Sequence, residues 1–164
     1  MTPLLCAAQN GHEAIVRALI EASADVNEPR DNGATPLYTA AQQGHEAIVR
    51  ALIEAGADIN KAFDVGWTAL FIAAQQGHEA VVRALIEAGA DISKARDDGV
   101  TALFIAAHQG HEMVVRTLIE AGADVNKATE NGWTPLAIAA EEGHTAIVQI
   151  LRDAVLVQMQ HLSL

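Results

Sequence analysis

The sequence predicts an all-α fold: a solenoid of five stacked helix-turn-helix units joined by short β-hairpin loops. Three observations predict it. Threonine recurs at Thr2, Thr35, Thr68, Thr101 and Thr134, each step being 33 residues. Gly-His recurs in the same phase at Gly11-His12, Gly44-His45, Gly77-His78, Gly110-His111 and Gly143-His144. Residues 34–66 and 67–99 differ at 8 of 33 positions. Self-similarity at such a period marks a repeat architecture, whose units bury their apolar faces against one another. The expected organisation is a single domain over residues 1–164, with units at about 1–33, 34–66, 67–99, 100–132 and 133–164. The first unit lacks its leading loop and the last is altered at its end.

Each element follows from local chemistry. Thr35 is an N-cap and Pro36 takes the first helical position, where its missing N–H costs nothing. Pro3 and Pro135 repeat this placement, with Ala69 and Ala102 in the other copies. The first helix runs through Leu37 and the Ala40-Ala41 pair to Gly44, a helix-ending residue. The small alanines let neighbouring layers approach. The second helix carries Ile48, Val49, Leu52 and Ile53 as one apolar stripe and stops at Gly56, with Ser23 in that position in the first copy. Asp25, Asp58, Asp91 and Asp124 then bond backbone in a turn. An Asp/Glu-x-Gly turn follows at Gly33, Gly66, Gly99 and Gly132. All twelve glycines are thereby used, and none is left for a phosphate-cradling loop. Helices this short are marginal alone, so the stack holds them.

Composition narrows the function. Apolar residues make up 51% and charged residues 19%, which excludes disorder for want of a core. No apolar run is long enough to cross a bilayer, and the N-terminus lacks the basic start of a secretory signal. The lone Cys6 excludes an internal disulfide framework and fits a reducing compartment. Ten basic against 21 acidic residues leave a net charge of −11, which repels nucleic-acid phosphates and anionic membranes. The expectation is an acidic, soluble, cytoplasmic protein without nucleic-acid or membrane partners.

The search for chemistry ends in structure. The histidine column (His12, His45, His78, His111, His144) places one ring per layer, and packed layers are about 8–10 Å apart. A zinc ion needs every ligand about 2 Å away, so the column reads as structural and no metal site is expected. Glu46, Arg50 and Glu54 form an i, i+4, i+8 ladder that recurs as Glu79, Arg83, Glu87 and as Glu112, Arg116, Glu120, a solvated helix face. Glu141-Glu142 is the one aperiodic acidic pair and reads the same way. Cys6 stands where other copies have Thr39, Ile72, Ile105 and Ile138, a packing position. No nucleophile–base arrangement stands out. The chain reads as a non-enzyme with no cofactor.

The run DNGATPLYTAAQQGHEAIVRALIEAGADIN, residues 31–60, resembles the ankyrin repeat pattern, and the resemblance spans all five copies. It implies helix pairs whose hairpin fingers project sideways to form one wall of a concave groove. It also implies a family that mostly binds other proteins and rarely catalyses. The family histidine after T-P-L, which braces neighbouring loops, is replaced by Leu5, Tyr38, Phe71, Phe104 and Ala137, so apolar stacking takes over from a polar brace. The last copy reads Val155-Leu156-Val157 where Gly-Ala-Asp belongs, and its helix continues without a finger. The resemblance further suggests a substrate for an asparaginyl hydroxylase at Asn27, Asn60 or Asn126, each with a leucine eight residues before it.

Positions that vary among copies are freest to serve function. In the fingers they are Arg30, Phe63, Arg96, Thr129; Asn32, Val65, Asp98, Asn131; and Ala34, Trp67, Val100, Trp133. The end of the first helix also varies: Gln42-Gln43, Gln75-Gln76, His108-Gln109, with Gln9-Asn10 and Glu141-Glu142 at the extremes. In the resemblance these two surfaces line the groove. Three of the six aromatics, Phe63, Trp67 and Trp133, fall in fingers, where tryptophan and arginine make binding hot spots. These three with Arg96 are the expected anchors for a protein partner; the competing reading folds each indole over its own hairpin. A second expectation concerns the ends. Leu151, Val155, Met159 and Leu162 form a stripe that seals the last layer, while Leu156, Leu164, Leu4 and Leu5 are left for self-association, giving a homo-oligomer through terminal repeats.

Overall fold

The computed structural model describes residues 1–163, which form ten α-helices in five consecutive packed pairs. The pairs are α1 (Pro3–Asn10) with α2 (Glu13–Glu21), α3 (Pro36–Gln43) with α4 (Glu46–Glu54), and α5 (Ala69–Gln76) with α6 (Glu79–Glu87). They continue as α7 (Ala102–Gln109) with α8 (Glu112–Glu120) and α9 (Pro135–Glu141) with α10 (Thr145–Leu162). The first helices stack on one another as one layer and the second helices as another.

The caps form as the sequence requires. Each repeat threonine accepts from the backbone N–H three residues on: Leu5 and Tyr38 at 3.2 Å, Phe71 and Phe104 at 3.1 Å, Ala137 at 3.2 Å. Such a cap is worth about 1 kcal/mol. Gly11, Gly44, Gly77 and Gly110 close the first helices in the left-handed region, and Ser23 adopts the same hand at φ 64° where later copies use glycine. The turn carboxylates of Asp25, Asp58, Asp91 and Asp124 each accept from the N–H two residues on.

The core is a column repeated. Ala8, Ala41, Ala74 and Ala107 are fully buried between first-helix layers, as are Val16, Val49, Val82 and Val115 between second helices. Burial comes from both neighbours, and the outer units expose what a neighbour covers elsewhere. Ile15 is 51% exposed, whereas its counterparts Ile48, Val81, Val114 and Ile147 are buried. Ala137 and Ala140 are exposed on the opposite side.

Two expectations about the ends are corrected. Leu4 and Leu5 are core residues, because α2 and α3 pack over α1. The tail does continue as one helix of 18 residues, but of the expected stripe only Leu151 and, partly, Val155 pack on the core. Met159 and Leu162 stay exposed with Leu156 and Val157, because the final turns run past the layer they were expected to cover. Leu164 lies outside the described residues.

Four fingers form. Each closes by the same backbone bond: Arg30 N–H to Ala34 O at 2.8 Å, Phe63 to Trp67 at 3.2 Å, Arg96 to Val100 and Thr129 to Trp133 at 2.9 Å. β-pairing shrinks to the isolated bridges Phe63–Trp67 and Ala95–Thr101. Successive fingers are tied by Asp97 N–H to Val65 O and Glu130 N–H to Asp98 O, both at 3.0 Å.

Candidate protein-binding surface

The histidine column joins the layers. His45 Nε2–H donates to Gln9 O at 3.2 Å, His78 to Gln42 O at 3.0 Å, His111 to Gln75 O at 2.9 Å and His144 to His108 O at 3.0 Å. Each ring reaches back one unit and holds the end of that unit's first helix, which sets the proton on Nε2. The glycine there has a second duty besides its backbone hand. A Cβ on Gly77 would meet the His111 ring at 2.6 Å, and one on Gly11 would meet His45 at 2.8 Å. The signal for this was available in sequence as a glycine and a histidine held 34 residues apart.

With those carbonyls engaged, the side chains along the rim remain free for solvent. Gln42, Gln43, Gln76 and Gln109 are exposed; Gln75 and His108 are half-buried. His108 Nε2 lies 3.4 Å from Glu142 Oε1 in the next unit.

The fingers divide into two kinds. In the second and third, the varying residues pack on each other. Phe63 sets its edge on Tyr38 at 4.7 Å between centroids, and burial raises the Tyr38 phenol above its ordinary pKa. Trp67 sits edge-on to Phe71 at 5.1 Å. The Arg96 guanidinium lies 4.9 Å from the Trp67 ring and 5.4 Å from Phe71, and pairs with Asp98 at 2.8 Å. Val100 is partly buried against the core. In the first finger, Arg30 donates to Gln9 Oε1 and Asn32 accepts from Ala34 N–H at 3.1 Å.

Val65 and Trp133 differ. Asn32 and Asp98 cap their turns, but Val65 has no acceptor to offer; its side chain is 37% exposed at the tip, and the preceding Asp64 has φ 51°. A non-glycine residue there costs about 1–3 kcal/mol. Trp133 donates its backbone N–H to Thr129 Oγ1 at 3.2 Å, and the residue is 41% exposed beside the exposed Asn131. The structure thus groups Phe63, Trp67 and Arg96 into packed clusters and leaves Val65, Asn131 and Trp133 facing solvent.

The second-helix face carries the acid–base ladder. Arg17, Arg50, Arg83 and Arg116 pair with Glu13, Glu46, Glu79 and Glu112 at 2.6–3.0 Å. Arg50 also reaches Glu87 of the next unit at 3.1 Å, and its hydrogen bonds to Glu46 and Glu87 raise its pKa further. Among the described residues no group of acids, histidines and cysteines is arranged to hold a metal ion, and no helix is long and apolar enough to cross a membrane.

A family model described as ankyrin repeats, in three copies, matches residues 1–63, 62–129 and 88–160. A comparison with curated proteins found no match.

Proposed function

The chain belongs to the ankyrin repeat family, and we propose that it is a non-catalytic module that binds a protein partner through its finger tips and first-helix ends. Ankyrin repeats are in general protein–protein interaction modules and are typically not catalytic. The observation that carries the reading is the exposure of Val65 and Trp133 at two fingers, in columns that are polar or covered in the other copies. Half-covered aromatic and apolar side chains on a rigid scaffold lose little freedom on binding, which is what hot spots require. Gln42, Gln43, Gln76 and Gln109 supply hydrogen-bonding groups along the same rim. Phe63, Trp67 and Arg96 act from beneath by holding the fingers in place.

The test is affinity capture from cell lysate with mass spectrometry. Wild type is compared with Trp133→Ala, with Val65→Asn, which restores the turn residue of the first and last fingers, and with Glu54→Gln on the helix face. Proteins lost with the two finger variants and kept with Glu54→Gln support the reading. The same proteins held by all four chains would discard it.

A second reading is self-association, favoured by the exposed Leu156, Val157, Met159 and Leu162 on α10. Solution mass across a concentration series decides it: a monomer at every concentration removes it.

A further inference from the structure

The turn segments after successive second helices are stitched by a carboxamide, and one stitch is missing. Asn27 Oδ1 accepts from Asp58 N–H at 2.8 Å, with Asn27 Nδ2 3.5 Å from Gly56 O. Asn60 Oδ1 accepts from Asp91 N–H at 2.8 Å. The next residue in this column is Ser93. Its hydroxyl donates to its own Asp91 Oδ1 at 2.6 Å, and no acceptor meets Asp124 N–H among the described residues. A cavity of about 330 Å³ opens at this joint, with Ile92, Leu103 and Ala123 on its apolar wall and Ser93, Asp124 and Lys127 among its polar groups.

We infer that this cavity is a binding site for a primary carboxamide, its oxygen seated as those of Asn27 and Asn60 are and its NH₂ as that of Asn27 is. Its oxygen accepts from Asp124 N–H, and its NH₂ faces Gly122 O, the counterpart of Gly56 O. The apolar wall takes the alkyl stem. A carboxylate is disfavoured because it has no hydrogen to give Gly122 O. The volume exceeds that of a bare amide group, since one water occupies about 30 Å³ of liquid. It has room for the stem of an asparagine or glutamine side chain as well as for a small free amide. The inference stands whether or not the finger tips bind a protein.

Backbone amide resonances of the full chain, followed during titration with acetamide, test it. Asp124 moves and saturates in the millimolar range, with a shift several times that of Asp58 and Asp91, whose sites already hold an asparagine. Acetate and N,N-dimethylacetamide, each lacking the NH₂, give no saturable shift at Asp124. Ser93→Asn fills the site from within, so the acetamide response disappears and the melting temperature rises. The inference is overturned if Asp124 moves no more than Asp58 and Asp91, if acetate or dimethylacetamide matches acetamide, or if Ser93→Asn responds as wild type does. A glutamine-centred tripeptide with acetyl and N-methylamide ends separates the sources. Saturation at least tenfold below acetamide assigns the site to a protein side chain, and equal saturation assigns it to a small amide.

Discussion

Trp67 and Trp133 occupy the same column two repeat periods apart, yet one is packed and the other faces solvent. Trp67 has Phe71 four residues on and Arg96 from the following finger over its ring. Trp133 has Ala137 four residues on, and among the described residues no arginine or finger lies over its ring as Arg96 lies over that of Trp67. The same residue on the same hairpin therefore does different work, and the unit that follows decides which. In a stack of near-identical units, burial belongs to the joint between units as much as to the residue.

The comparison breaks if the two tryptophans contribute equally to stability. Trp67→Ala removes a ring packed between two units and is expected to cost about 3 kcal/mol, the low end for an aromatic-to-alanine change because the ring is only partly buried. Trp133→Ala is expected to cost less than about 1 kcal/mol. Urea unfolding followed by helical circular dichroism measures both. Equal losses would mean that Trp133 is held by contacts its exposure hides.

The glycines extend the same contrast to the first-helix ends. Gly77 and Gly143 have φ values of 78° and 75°, so alanine meets the same backbone strain at each, about 1–2 kcal/mol. Only Gly77 also has a neighbour: the His111 ring would lie 2.6 Å from the new Cβ, while nothing approaches Gly143. Moving that ring also breaks its bond to Gln75 O. Gly77→Ala is expected to cost about 1 kcal/mol more than Gly143→Ala, the value of that hydrogen bond. Adding His111→Ala to each glycine variant isolates the term, because the difference between them should then vanish.

Arg96 supplies a smaller increment. Arg96→Met keeps the apolar stem and removes the charge over Trp67, with an expected loss of about 0.5–1 kcal/mol. A double-mutant cycle with Trp67→Ala separates this from the Asp98 pair, since only the part owed to the ring is lost when the ring is absent. A coupling of zero would leave the guanidinium as a partner of Asp98 alone.

The parts of this molecule legible in sequence are those whose cause is local. Thr35 caps its helix through an N–H three residues away, and Gly44 ends it through its own backbone, so each copy carries the whole signal. The packing of Arg96 on Trp67 has its cause 29 residues away in the next copy, and no periodicity reports whether two long side chains meet. Met159 and Leu162 show the same limit from the other side. Their spacing describes a helix stripe correctly, but a stripe is buried only if a layer lies across it. The histidines were legible as structural from the spacing of layers, whereas their acceptor, a carbonyl of the preceding unit, required the geometry.

The smallest effect comes from a residue two places away. Asp58 and Asp91 share a column, but Asp58 accepts from the Asn60 N–H alone at 3.2 Å, while Asp91 accepts from both the hydroxyl and the N–H of Ser93, at 2.6 and 3.0 Å. These bonds favour the carboxylate, the hydroxyl most of all, and hold the Asp91 pKa below its ordinary value. A depressed folded pKa means that the stabilisation is present above the unfolded-state pKa and is lost as pH falls through the folded one. Ser93→Ala should therefore raise the Asp91 pKa toward its ordinary value, read from its carboxyl resonance, and shift acid unfolding slightly upward in pH. Solvent screens so exposed a carboxylate, which keeps the change in stability minor. If the Asp91 pKa does not move in Ser93→Ala, the hydroxyl is not its main support. The Ser93 N–H and the nearby Lys94 charge then carry the shift.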